Sequence, residues 1–229
     1  MQEHSNRLGV RTTKVTAIFI AFLAILIFAC AGTLNYWQAW LYLANFTAWT
    51  IGTGWYVVTH SPELAEKRLS AGPGSETQPA QKRIQAYNSV VIMALYVVSA
   101  LDYRFSWSSM PVALVIVGNI LTALGFAGCL AVFRQNSYAS ATVDVQPGQR
   151  VVSEGLYGLV RHPMYSSALL LFAGAPLALG SLWGLVLVVF IVGGLVARLI
   201  DEERHLRAEL QGYAAYCERV RYRLVPRIY

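Results

Sequence analysis

The chain has 229 residues, of which 56% are hydrophobic and only 13% charged, with a formal net charge of +6. Soluble domains carry about a quarter charged residues, so an ordinary soluble enzyme is excluded and an integral membrane protein is indicated. The positive balance reads as attraction to anionic headgroups; nucleic-acid binding is disfavoured because no soluble basic domain is there to carry it.

In chain order, uncharged apolar runs cover residues 15–34, 39–58, 84–101, 112–133, 166–178 and 182–197. Most approach the ~20 residues needed to span a bilayer, which predicts an all-α membrane protein with about six transmembrane helices. Between the second and third runs, Ser61-Pro62-Glu63 predicts a helix start and the Ala71-Gly72-Pro73-Gly74-Ser75 run a break. Leu64, Ala65 and Leu69 in that interfacial segment, near residues 60–83, form a stripe suited to a membrane surface. After the fourth run, Asn136, Ser137, Ser140, Thr142, Asp144 and Pro147-Gly148 are turn chemistry, predicting a loop. The fifth run is short and contains Gly174 and Pro176. Beyond the sixth, Leu199, Leu206, Leu210 and Tyr213 recur at helical spacing, so the last span is predicted to continue as a cytosolic helical extension, interrupted at Gly212 and ended by Pro226. The division is thus four N-terminal membrane helices over 1–133 and a catalytic region over 134–229.

Basic residues in short loops stay on the cytoplasmic side. With both termini inside, only Arg104 of the 18 basic residues falls at the opposite turns. Tyr36, Trp37, Trp40, Tyr103, Trp107 and Trp183 mark those same turns, where amphipathic rings settle among headgroups. A multi-pass protein with both termini and the polar cluster described next on the cytoplasmic side is the expected localisation. Cys30, Cys129 and Cys217 suit neither a disulfide framework nor a metal cluster.

The chemistry lies at the mouth of the last two spans. Arg198 and Glu202, four residues apart, and His205 share one helix face, flanked by Asp201 and Glu203. An i,i+4 ion pair that caps a membrane helix is the bland reading of that face. Arg161-His162-Pro163 suits the start of the fifth span, because Pro163 lacks an amide hydrogen and pushes His162 toward extended geometry; Arg161 snorkelling to phosphates is the bland alternative. A hairpin of spans five and six returns to the side it left, so Tyr157, His162, Tyr165, Arg198 and Glu202 can meet. The pocket so formed offers His and Arg to carboxylates, Glu to hydroxyls or amines, and aromatic rings to a cation.

At these residues the chain resembles the isoprenylcysteine carboxyl methyltransferase and phospholipid N-methyltransferase superfamily of membrane enzymes that use S-adenosylmethionine. The resemblance covers Asn136 to Pro226 and rests on VVSEGLYGLVRHPMY, an apolar hairpin, RLIDEERHL and GYAAYCERVRYRLVP in that order. It implies that Val151, Val152, Tyr157, His162, Pro163, Met164 and Tyr165 line the S-adenosylmethionine site, that Glu202 closes it, and that Arg198 faces and binds the methyl acceptor. Gln149 and Arg150 are carried over where the family has a His-Thr-type pair. Ser167 replaces a frequent glycine, and Gln211 replaces an aromatic.

Methyl transfer from a sulfonium is an in-line displacement, so alignment and water exclusion are the protein's tasks. A carboxylate acceptor of isoprenylcysteine type, the acceptor the resemblance favours, needs only to be aimed, by Arg198 as a fork; of the alternatives, a phospholipid amine needs a base, for which Glu202 or Glu203 is nearest, and a small thiol must become a thiolate. An acceptor with a lipid tail enters from the membrane, and the product cofactor is S-adenosylhomocysteine. The reading of another class is a non-enzymatic scaffold or transporter, with Gly125-x-x-Gly128 packing helices.

Overall fold

The computed structural model describes residues 2–69, 73–76, 78–146 and 148–229. The Ala71-Gly72 step and Pro147 of the two expected turns lie outside the described residues. All regular structure among the described residues is helical: α1 (Gln2–Ala31), α2 (Trp37–His60), α3 (Pro62–Leu69), α4 (Pro79–Phe105), α5 (Val112–Gln135), α6 (Pro163–Ala178), α7 (Leu182–Glu209) and α8 (Tyr213–Arg219), with 3-10 turns at Pro73–Ser75 and Gly155–Gly158.

Each apolar run falls largely within one helix. Four of these, α1, α4, α5 and α7, are both long and apolar enough to cross a membrane. The 24-residue α2 has the length but is interrupted by polar and glycine positions, and the apolar α6 has 16 residues. At 1.5 Å per residue α6 reaches about 24 Å, short of a ~30 Å hydrocarbon core. Side chains such as Ile18, Ile25, Val90 and Val189 point outward, each 68–70% exposed. An apolar belt of this kind is untenable in water and suits acyl chains, so the architecture is an all-α membrane bundle of about six spans.

Missing side chains set how the helices approach. Antiparallel α4 and α7 meet at Gln81 with Asp201, Gln85 with Arg198, Asn88 with Gly194 and Ser99 with Gly184. A Cβ on Gly194 would stand 1.8 Å from Asn88 Oδ1, and one on Gly184 2.4 Å from Ser99 Oγ. Small residues let backbones close without a hydrophobic drive, which lipid does not supply. The α5–α6 pair uses the same device: a Cβ on Gly118 would lie 2.2 Å from the Ala178 nitrogen, one on Gly125 2.8 Å from the Ser167 carbonyl. Gly128 leaves room for Ser167, whose hydroxyl turns back to the Pro163 carbonyl at 2.8 Å.

At the turns opposite the chain termini, buried Asp102 accepts hydrogen bonds from the Ser108 backbone and hydroxyl and from the Ser181 hydroxyl. Ser181 in turn caps α7 by accepting the Gly184 N–H. Tyr36 is fully buried, stacked on Tyr103 with centroids 3.8 Å apart and donating to the Leu179 carbonyl. It is therefore a packing residue rather than a headgroup anchor, whereas Trp37, Trp40, Trp107 and Trp183 are exposed as expected.

One further expectation changes. Leu64 and Ala65 of α3 bury against Leu8, Val57, Cys129 and Phe133, so the stripe packs on the protein and not on a membrane surface. Arg68 completes that seat, stacked 4.5 Å over the Phe133 ring. The last span does continue as one helix to Glu209; Gly212 then turns the chain with φ of +86°, a conformation that favours glycine, and α8 follows.

Candidate active site

The predicted hairpin closes as α6 and α7. His162 precedes α6 with φ −124° and ψ 63°, and Pro163 opens the helix where an amide hydrogen has no partner to lose. From there Tyr165 points its hydroxyl into α7, where it donates to Glu202 and accepts from Arg198 Nε at 3.1 Å. The loop before α6 is shaped by Gly155, whose φ of +57° and contact with Gln135 exclude a side chain; Gln135 Oε1 accepts the Leu156 N–H at 2.9 Å.

These parts enclose a cavity of about 430 Å³, within the range of small-molecule sites. Gln149, Arg150, Val151, Val152, Tyr157, His162, Pro163, Met164, Tyr165, Arg198 and Glu202 all line it. Tyr213 and Tyr216 add rings at its end nearest the C-terminal tail, and Gln85, Asn88 and Ile92 line it from α4. Residue 133 therefore does not bound the site, which draws on both segments of the chain. Asn136 donates to the Tyr157 hydroxyl at 2.8 Å. Burial, opposed by that bond and reinforced by the Glu202 charge, pushes the Tyr157 phenol up to about 12.

Glu203 is not brought to the cavity, which corrects its candidacy as a base. It is 4% exposed and collects Arg161 Nη1 at 3.1 Å, His162 Nε2 at 3.2 Å and Arg223 Nε at 3.2 Å. Arg161 does not snorkel. Its Nε and Nη2 donate to the Val220 and Cys217 carbonyls at 2.6 and 2.8 Å, closing the C-terminal end of α8. The backbone repeats the link, with the Arg161 and His162 N–H groups donating to the Tyr222 and Arg223 carbonyls. The Arg-His-Pro step thus binds the C-terminal tail and α7 together, while His162 and Pro163 show another side to the cavity. His205 pairs with Glu209 and takes no part in the site.

Arg198 and Glu202 do not form the i,i+4 pair. The partner of Arg198 is Glu76, 2.7 Å from Nη2 and 3% exposed, in the short segment before α4. Nη2 also donates to the Ala141 carbonyl at 2.9 Å and Nη1 to Gln85 Oε1 at 2.9 Å. Four hydrogen bonds to protein leave no free fork. Glu76 was not singled out by the sequence, and only its lone acidic position in a polar linker sets it apart. Both arginines that approach the cavity from its hairpin side are thereby tied to carboxylates, Arg198 to Glu76 and Arg161 to Glu203, which it shares with Arg223. Glu202 has the Tyr165 hydroxyl and no ion pair among the described residues, so it is the carboxylate left to a cationic ligand.

Comparison with known proteins bears on the same segment. Residues 113–211 match the family model described as phospholipid methyltransferase. A Delta(14)-sterol reductase of Mus musculus is 31% identical over 91 residues, 38% of this chain and 22% of its own length. The chain thus spans about a fifth of that relative.

Proposed function

We propose, from the match of residues 113–211 to the phospholipid methyltransferase family model, that the chain is a membrane methyltransferase that uses S-adenosylmethionine and methylates a lipophilic acceptor at the cytoplasmic face. The observation that carries this reading is Glu202: a cavity-lining carboxylate without a cationic partner among the described residues, among tyrosine rings and beside two arginines that are each held by another carboxylate. Such surroundings favour a sulfonium cation by charge and by ring faces. When bound, S-adenosylmethionine supplies an activated methyl group. Val151, Val152, Tyr157, His162, Pro163, Met164, Tyr165 and Glu202 would hold it, with Gln149 and Arg150 at the mouth.

The chain's own residues do the positioning. Tyr165 joins Glu202 to Arg198, so the donor side and the acceptor side are set by one hydrogen-bonded unit. A carboxylate acceptor of isoprenylcysteine type would be forked by Arg198 only by displacing Glu76. A phospholipid amine or a thiol needs no such exchange, and Glu202 is the base within the cavity. The apolar wall formed by Ile92, Phe172, Ile191 and Leu195 suits a lipid tail reaching the site from the membrane.

The mouse sterol reductase favours a second reading, reduction of an apolar ring substrate in the same cavity. Calorimetric titration of the detergent-solubilised protein with S-adenosylhomocysteine and with a reduced nicotinamide dinucleotide separates the two. Methyl transfer predicts that the first binds and the second does not, with binding of the first lost in E202A and H162A but kept in R198A; the opposite selectivity establishes the reductase reading.

A further inference from the structure

Asn88 sits within span α4, one turn deeper than Gln85 on the face that meets α7. It is 4% exposed, it lines the cavity, and its Oδ1 is buried without a hydrogen-bond partner. An unpaired carboxamide at bilayer depth costs free energy that a leucine would not. α7 nonetheless makes room for it with Gly194, where a Cβ would overlap Oδ1 at 1.8 Å. Thr12, Gln38, Thr53, Gln81 and Ser99 also have buried unpartnered atoms, but none lines the cavity. Tyr213 does, at the end nearest the C-terminal tail, near Glu202, whereas Asn88 stands beyond the Tyr165–Arg198 pair, at the membrane end.

We propose that Asn88 holds the head group of the methyl acceptor, and that the wall beyond it, Ile92, Phe172, Ile191 and Leu195, takes that molecule's tail. The proposal rests on the methyltransferase reading. The charged groups at this end are satisfied, Arg198 by Glu76, and Asn88 Oδ1 is turned onto Gly194, so the polar function left to recognise a ligand is the Asn88 carboxamide N–H donor. The ligand class is an amphiphile with one lipophilic tail and an uncharged hydrogen-bonding group beside the methylated atom. Asn88 is a specificity-determining residue and takes no proton.

The test uses the full chain in detergent, labelled S-adenosylmethionine, and three probes: an N-acylated S-prenylcysteine, an ethanolamine phospholipid and a long-chain thiol. For the probe the wild type methylates best, N88A should raise the KM about tenfold, as expected for one desolvated hydrogen bond, with kcat and S-adenosylhomocysteine affinity within about twofold. G194A should lower the thermal midpoint by collision with Asn88. The N88A/G194A variant removes the collision, so the midpoint recovers while the KM stays high. An unchanged KM in N88A, or recovery of both midpoint and KM in the double variant, makes Asn88 a packing residue and overturns the proposal. Wild-type protein that binds S-adenosylhomocysteine but labels the phospholipid or the thiol in preference to the N-acylated S-prenylcysteine, or labels none of the three probes, overturns the amphiphile class. Failure to bind S-adenosylhomocysteine at all defeats the methyltransferase reading and this placement with it.

Discussion

Removing the Glu76 charge tests how the site is tied to the N-terminal half of the bundle. The Glu76 and Arg198 side chains are 1% and 8% exposed and 2.7 Å apart, so the pair is buried. Breaking such a pair from one side leaves an uncompensated charge and costs about 3–5 kcal/mol, whereas removing both partners together is often close to neutral. E76A strands the Arg198 guanidinium with the neutral acceptors Gln85, Ala141 and Tyr165. R198M strands a carboxylate that keeps only the Val143 N–H, at 3.2 Å. Each single variant should therefore lose about 3 kcal/mol or more, equivalent to a fall in thermal midpoint on the order of 10 °C for a chain of this size. The E76A/R198M double variant should fall by less than the sum, with a coupling of 1 kcal/mol or more. The assay is thermal unfolding of the four proteins in one detergent. Additive losses, or an E76A midpoint within a degree or two of wild type, would show that Glu76 does not hold Arg198.

Three other outcomes follow from the geometry. R161A deprives both Glu203 and the last carbonyls of α8 of a donor, and should cost roughly 2–4 kcal/mol while exposing the tail to carboxypeptidase; an unaltered digestion rate contradicts the tail docking. G118A places a methyl 2.2 Å from the α6 backbone, which has no flexible side chain to move, and should destabilise by about 1–3 kcal/mol, whereas G128A should be rescued by S167A because the Ser167 hydroxyl is what it meets. The Tyr157 phenol, raised from about 10 to about 12, keeps its proton in the folded state at pH values where the unfolded chain releases it, so its contribution is complete below pH 10 and is lost as pH rises toward 12. Y157F should therefore gain roughly 1 kcal/mol relative to wild type between pH 9 and pH 11, read from denaturant midpoints; a constant difference across that range argues against a buried phenol.

Much of the bundle was legible because spanning helices must be long, apolar and internally hydrogen-bonded, constraints that leave direct marks in sequence. The continuation of α7 past Ala197 was legible in the spacing of Leu199, Leu206 and Leu210. The hairpin cluster was legible too, since Tyr157, His162, Tyr165, Arg198 and Glu202 follow from one antiparallel return. What the sequence hid was partner choice. Arg198 has an acid four residues on, yet Glu202 turns to the Tyr165 hydroxyl, while Glu76 reaches Arg198 across 122 positions from a segment without periodicity. Glu203 looked equivalent to Glu202, but adjacent residues on a helix point about 100° apart, and that rotation sends one to the cavity and the other to Arg161, His162 and Arg223. Asn88 was silent because a single amide in an apolar run carries no pattern until Gly194 is placed opposite it.

The central claim is that the cavity closed by Glu202 takes a sulfonium cofactor and its product. Calorimetry of the solubilised chain with S-adenosylhomocysteine, wild type against E202A and R198A, addresses it most directly. The account predicts saturable binding to wild type and R198A and loss of binding in E202A; equal affinity in all three, or none in the wild type, would contradict it.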